Sequence, residues 1–138
     1  MDNKFLHFHN SLEQQFCIIR YIELNNMLST IWKGPASEDS ISHVKQGIMD
    51  MVQQIKCNAI LNDVQEFFHA ATQILAKFTL AEWNNEVEAL GVKYIAHVLR
   101  PDDELPPNQD TETGLLIRFF KNKLDAVDWI SSQQSNSV

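Results

Sequence analysis

The most constraining feature of this sequence is a long amphipathic helix followed at once by a short apolar segment. Apolar residues recur at spacings of three and four along residues 38–56, as on one face of a helix: Ile41, Val44, Ile48, Val52 and Ile55. Ser37 precedes this stripe as a candidate N-cap. Residues 57–64 (CNAILNDV) follow, and such a run is typical of a central strand buried on both faces. A helix of this length can form a parallel crossover, so we expect a sheet with helices on its faces.

The rest of the chain alternates between strand-like and helix-like segments. Residues 16–23 and 27–33 are rich in β-branched and aromatic side chains, and Asn25 and Asn26 favour a tight turn, so we predict an antiparallel hairpin. The remaining predicted elements are a helix over residues 70–90 with a break near Thr79, strands over 92–99 and 115–120, and a helix from Asn122. The predicted order is β-β-α-β-α-β-β-α, an α/β fold with a single-domain mixed sheet of four to five strands flanked by helices.

The length of 138 residues suits one compact domain. We predict that residues 1–15 form an N-terminal arm or lead-in element and that residues 16–131 form the α/β domain. Residues 132–138 are polar, which predicts a disordered tail. Residues 101–113 hold three of the four prolines and five acidic residues, which predicts an exposed loop.

Charge and composition exclude several classes of function. The chain has 11 basic and 18 acidic residues, a net charge of −7, and an acidic surface repels phosphate backbones, so nucleic acid is not an expected partner. Its apolar runs are far shorter than the roughly 18–20 residues of a membrane helix, and the first dozen residues lack the features of a secretory signal. Only two cysteines, Cys17 and Cys57, are present, which favours a reducing cytoplasm as the location.

Several short sequence features also occur in a characteristic order. They are Ile31-Trp32-Lys33-Gly34, Ile60-Leu61-Asn62-Asp63, Trp83, Gly91, Lys93-Tyr94-Ile95-Ala96, Arg118-Phe119-Phe120 and Ala126-Val127-Asp128-Trp129-Ile130. In this order, over residues 16–131, the chain resembles the STAS-like family, an uncharacterised bacterial branch related to the anti-sigma-factor antagonists. The resemblance implies a signalling domain without chemistry of its own, which binds a kinase-like protein partner. It also implies a switch, the phosphorylation of a serine or threonine in an Asp-Ser motif after the central strand.

The sequence departs from the family at that motif. The matching residues 62–69 (NDVQEFFH) carry no hydroxyl group, and Thr72 is the first one available. Our first hypothesis is therefore constitutive binding of a protein partner, with no phosphate required. The predicted interaction surface follows the central strand: Asn62, Asp63, Gln65, Phe67, Phe68 and His69. Two adjacent aromatic residues in a loop cannot both point inward easily, so we expect Phe67 or Phe68 to be exposed as an anchor or a lid.

Two other classes of function stay open at this point. The chain is alternatively a carrier of a small apolar, lipid-like ligand, held in a pocket beneath Phe67 and Phe68. A third hypothesis is an enzyme in which His69 acts as a base and Asp63 orients it, although Asp63 more simply caps the turn that follows it.

The sequence predicts neither a cofactor nor a metal site. The glycines are too far apart for a phosphate-binding loop. His7 and His9 supply only two of the three or four ligands that zinc needs. A homodimer is compatible with the sequence, as is a monomer.

Overall fold

The computed structural model describes residues 5–10, 12–67 and 71–136 and shows a mixed sheet flanked by helices. The elements are β1 (Phe5–His9), β2 (Gln15–Ile22), a 3₁₀ turn (Glu23–Asn25), β3 (Met27–Gly34), α1 (Glu38–Ile55), β4 (Ala59–Phe67), α2 (Ala71–Phe78), α3 (Ala81–Ala89), β5 (Tyr94–Val98), β6 (Leu116–Phe120) and α4 (Lys123–Asn136). The predicted α/β class is confirmed, but the sheet has six strands instead of four or five.

The strands lie in the sheet in the same order as in the sequence, from β1 to β6. β2 is antiparallel to both of its neighbours, β1 and β3, whereas β3, β4, β5 and β6 are parallel. Ile60 of β4 lies between Leu28 of β3 and Ile95 of β5, so the predicted central position of β4 is confirmed. Ile60 and Leu61 are 2% and 0% exposed and belong to different cores, because alternate residues of a strand point to opposite faces.

Each face of the sheet has its own core. The larger core receives α1, α2 and α3, through residues such as Val44, Ile74 and Val87. The smaller core lies on the opposite face, where α4 packs with Ala126 and Ile130, both 0% exposed. Three helices therefore cover one face, and a single helix covers part of the other.

The predicted hairpin is formed by β2 and β3. Asn26 adopts a left-handed conformation with φ 44°, which asparagine tolerates better than most residues. Its side-chain oxygen accepts a hydrogen bond of 2.8 Å from the Tyr21 hydroxyl. The turn residues read from the sequence therefore fix the turn through both backbone and side chain.

The predicted helix over residues 38–56 is also confirmed and runs as α1. The Ser37 hydroxyl oxygen accepts a hydrogen bond of 3.1 Å from the Ser40 amide, as an N-cap does. At the other end, Lys56 has φ 61°, and its amide donates to the Val52 carbonyl at 2.8 Å. The left-handed conformation of Lys56 turns the chain from the helix into β4.

We expect Ser37→Ala to lower the free energy of unfolding by about 1 kcal/mol, because an amide at the start of α1 loses its acceptor. Chemical denaturation followed by circular dichroism measures this change. Ser42→Ala is the matched control, since Ser42 is exposed within the same helix and should change stability by less than about 0.5 kcal/mol. Equal stability of both variants would show that the cap does not stabilise α1.

The two ends of the chain compare differently with the sequence predictions. The segment 1–15, predicted as an arm or lead-in element, contains β1, a strand that extends the hairpin as its third strand. The predicted disordered tail is wrong for residues 132–136, which continue α4. The Gln134 side chain donates to Asn58 Oδ1 at 2.9 Å, and the Gln133 carbonyl accepts from the Tyr94 hydroxyl at 3.4 Å. These tertiary hydrogen bonds hold a polar segment that composition alone predicts to be disordered.

The predicted helix over residues 70–90 is divided into α2 and α3 near the expected break. The Thr79 hydroxyl donates to the Leu75 carbonyl at 2.6 Å, so Thr79 contacts the end of α2 and does not cap α3. Leu80 occupies the N-cap position of α3 without a side-chain hydrogen bond.

Candidate functional site

The carboxyl end of β4 lies further along the chain than the sequence predicts. The strand extends to Phe67 because β3 and β4 resume pairing after a bulge, with Lys33 opposite Glu66. Asn62 and Asp63, which we expected to end the strand, therefore lie inside it. Phe68 and His69 fall outside the described residues, so their predicted roles remain predictions.

Asn62 belongs to a buried row of polar side chains that crosses three strands. Its Oδ1 accepts a hydrogen bond of 2.7 Å from Trp32 Nε1 on β3, and its Nδ2 lies 3.0 Å from His97 Nδ1 on β5. All three side chains are 0–2% exposed. Asn62 is therefore a structural residue on the larger-core side of the sheet, and its side chain is not accessible to a ligand.

The row determines the protonation of His97. Since Asn62 Nδ2 is a donor, His97 Nδ1 accepts and the proton resides on Nε2. That Nε2 is buried and has no hydrogen-bond partner among the described residues, while the ring stacks on Phe119 at 5.1 Å between centroids. Burial lowers the pKa of His97 from 6.5 to about 4, so the imidazole is neutral at pH 7.

Asp63 points to the opposite face of the sheet, toward α4. Its Oδ1 accepts a hydrogen bond of 3.1 Å from the Gln65 amide two residues later. The side chain is almost fully buried, and burial raises the pKa of this carboxyl group, an effect that the Gln65 amide and nearby Lys123 oppose. This bond to its own chain is the simpler of the two roles predicted from the sequence.

Gln65 and Phe67 have separate environments. The Gln65 side chain donates to the Lys121 carbonyl at 3.2 Å, which joins the end of β4 to the segment before α4. Phe67 is 2% exposed and lies edge-on to Trp32 at 6.3 Å. Phe67 therefore lies in β4 and not in a loop, and its side chain belongs to the larger core. The expectation that Phe67 or Phe68 is exposed rests on Phe68, which lies outside the described residues.

Phe67 is part of an aromatic row that fills the interior between the sheet and its three-helix layer. Trp32 also lies 5.9 Å from Phe78, which is in edge contact with Trp83 at 5.0 Å. On its other side Trp32 lies 6.5 Å from Phe16. The rings pack against one another in the space where a lipid-like ligand would have to lie.

Both cysteines are structural in this environment. Cys17 and Cys57 are 1% and 0% exposed and unpaired by disulfides. Burial raises the pKa of Cys57 to about 11, and it raises that of Cys17 further, so both are protonated thiols at pH 7. His7 and His9 lie on the same face of β1, and no group of three or more His, Cys, Asp or Glu side chains in the described parts of the chain could hold a metal.

An open groove of about 480 Å³ lies on the three-helix face, between the start of α1 and α2. Its lining mixes apolar, polar and charged groups: Ala36, Ser37, Glu38, Ile41, Gln73, Ala76 and Lys77. An ion pair of 3.5 Å between Lys77 and Glu38 joins its two sides. The groove lies beyond the carboxyl end of β3, which stops at Gly34, and this is the end of the sheet at which the parallel strand β4 also finishes.

The strand order bears on whether small molecules bind at this edge. In open α/β sheets, ligands bind where successive connections leave the sheet on opposite faces. Here the connections through α1 and through α2 and α3 both lie on the same face. The parallel strands from β3 to β5 therefore form no such crevice between them.

Comparisons with known proteins give a fold-level similarity. A scan of protein-family models found no match, and a search of curated proteins also found none. A search of solved structures found an uncharacterised protein of the DUF3478 family with a SpoIIAA-like fold, from Shewanella loihica PV-4. It is 17% identical, the match covers 94% of this chain and 98% of that one, and the TM-score is 0.40. The SpoIIAA-like fold of that protein is the fold of the family that the sequence resembles.

Within residues 5–10, 12–67 and 71–136, none of the helices has the length and apolar content needed to cross a membrane.

Proposed function

We propose that this chain is a non-catalytic regulatory domain that binds a protein partner through the groove between α1 and α2. The observation that carries the proposal is the aromatic packing around Trp32. Phe16, Phe67 and Phe78 surround this fully buried ring with centroids 5.9–6.5 Å away. Because the interior is occupied by the protein's own side chains, binding through the surface is favoured over enclosure of an apolar ligand.

The interaction surface proposed here differs from the one read from the sequence. Asn62 and Phe67 are committed to the larger core, and Asp63 lies on the α4 face. The groove offers exposed positions on two helices, among them Gln73 and Ala76 of α2. Its mixture of apolar and charged groups suits a protein partner, since interfaces combine an apolar centre with a polar rim.

The same proposal includes constitutive binding, a signalling role, a bacterial origin and a cytoplasmic location. The two buried free thiols support a reducing compartment. The constitutive character rests on the sequence, because residues 62–69 offer no hydroxyl group for a phosphate.

A groove variant tests the proposal. Ala76→Arg places a long charged side chain at an exposed α2 position in the groove without breaking the helix, since arginine is a good helix former. We expect the tagged variant to lose the partner that the wild type captures from its native cell, identified by mass spectrometry, while its melting curve stays unchanged.

Gln54→Arg is the matched control, because it adds the same side chain to an exposed helical position at the far end of α1. It should capture the partner as the wild type does. Full capture by Ala76→Arg, or equal loss by both variants, would contradict a partner site in the groove.

A further inference from the structure

The two edge strands of the sheet, β1 and β6, differ in whether their outer backbone groups are hydrogen bonded. Along β6, the preceding segment covers the outer backbone groups: the Ile117 amide donates to Asp110 Oδ1 at 3.1 Å, and the Ile117 carbonyl accepts from the Gln109 amide at 3.3 Å. Thr111 adds a hydrogen bond of 2.9 Å to the Leu115 carbonyl. In the described parts of the chain, no segment is hydrogen bonded to the outer edge of β1.

The open edge has some of the features by which monomeric proteins prevent strand pairing and lacks others. β1 has only five residues, and its pairing with β2 shifts in register between Phe8 and His9. Natural edge strands are also protected by lysine, proline or inward-pointing charges. The sequence of β1, FLHFH, has none of these three, and it contains no aspartate, glutamate, lysine or arginine. Phe5 is 43% exposed, and Leu6 and Phe8 are only partly buried against the larger core. β1 is therefore free of acidic residues, lysine and arginine, and its apolar side chains are incompletely covered.

The sequence of β1 is complementary to itself in one antiparallel register. With a two-fold axis at His7, Phe5 lies opposite His9 of the second copy, and Leu6 lies opposite Phe8. Opposite residues of an antiparallel pair share a face, so the Leu6–Phe8 pairs lie on the three-helix face of both copies and extend both larger cores. The imidazole and phenyl rings of the other residues lie together on the opposite face, where Phe5 already stacks on His7 at 4.7 Å.

We propose that β1 is the interface of a homodimer, in which two copies pair antiparallel about His7 to form one continuous twelve-stranded sheet. The partner at this edge is a second copy of the chain, because in this register the backbone groups and the side chains of β1 are complementary to those of an identical strand. The groove between α1 and α2 is lined by no residue of β1, so the two proposed surfaces use different residues.

Cysteine cross-linking tests the register. His7→Cys places two thiols opposite each other on the axis, where the Cα atoms of an antiparallel pair are about 4.5–5.5 Å apart, within the range of a disulfide. With oxidised glutathione as the oxidant, we expect a covalent dimer on a non-reducing gel. Phe5→Cys is the matched control. The two introduced cysteines, one in each copy, lie four residues apart along the paired strands, which is beyond the reach of a disulfide, so this variant should not be cross-linked. The native Cys17 and Cys57 are buried and do not contribute.

Charge substitution tests the pairing without covalent chemistry. Phe5→Lys/His9→Lys puts like charges opposite each other at both ends of the interface, and should convert the dimer to a monomer in sedimentation experiments. Phe5→Glu/His9→Lys changes the same two positions but pairs opposite charges across the axis, and should remain dimeric. Circular dichroism melting of both variants verifies that they fold.

A wild type that sediments as a monomer at every concentration would overturn the proposal. So would equal cross-linking of His7→Cys and Phe5→Cys, or a folded Phe5→Lys/His9→Lys variant that stays dimeric.

Discussion

Replacing Phe67 with alanine should lower the free energy of unfolding by about 3–5 kcal/mol, as expected for truncation of a buried aromatic ring. The ring is 2% exposed and packs edge-on against Trp32. Its removal leaves a cavity beside the largest side chain of the core, and Trp32 cannot move to fill it because Asn62 holds its indole nitrogen. Chemical denaturation monitored by tryptophan fluorescence measures the loss.

Leu24→Ala provides the control for this prediction. Leu24 is 94% exposed in the turn before β3, so its truncation should change stability by less than about 0.5 kcal/mol. A Phe67→Ala variant as stable as the wild type would show that the ring lies outside the core and would return Phe67 to the interaction surface predicted from the sequence.

The second large effect is a loss of stability on acidification through His97. Its pKa is about 4 in the folded chain against 6.5 as the ordinary value. Between pH 6.5 and 4 the unfolded chain binds a proton that the folded chain does not, so stability falls as the pH falls. The difference of 6.5 − 4 = 2.5 pKa units corresponds to about 3 kcal/mol, present in full above pH 6.5.

Denaturation series from pH 7.5 to 4 measure this dependence. His97→Gln removes the imidazole while keeping an oxygen that can accept from Asn62, so it should lower stability at pH 7 but flatten the pH profile. Asp63 acts in the opposite direction, because its folded pKa is raised and its protonation favours the folded state. An unchanged profile in His97→Gln would assign the acid sensitivity to other groups.

Local signals in the sequence predict the hairpin and α1 well. Asn26 and Ser37 act through side-chain and backbone contacts within a few residues, so their roles are visible in the sequence. The sequence predicts too early an end for β4, because Gln65 and Glu66 are more exposed than the rest of the strand and resemble loop residues. What keeps them in the strand is pairing with β3, and the Phe67 carbonyl also accepts from Arg100 at 3.3 Å, 33 residues away.

For the candidate site, the sequence predicts an end of the sheet but not the residues. The end of the sheet at which the parallel strands finish follows from the order of elements. The direction of each side chain does not, because it depends on a register set by strands distant in sequence. Asn62 and His97 are 35 residues apart, and no spacing rule connects them, so their hydrogen bond could not be predicted from the sequence.

The coincidence of strand order and chain order has a consequence for synthesis on the ribosome. Each strand from β2 onward docks against a neighbour that has already left the exit tunnel, so the sheet can grow in one direction as the chain elongates. In the parallel half, each new strand closes a segment of similar size: Met27 pairs with Ala59, Ala59 with Tyr94, and Tyr94 with Leu116. Since the entropy of loop closure rises only with the logarithm of length, these steps have comparable costs and none requires a distant partner. β1, the first of the described strands to be made, is then the one to whose outer edge no other described segment is hydrogen bonded.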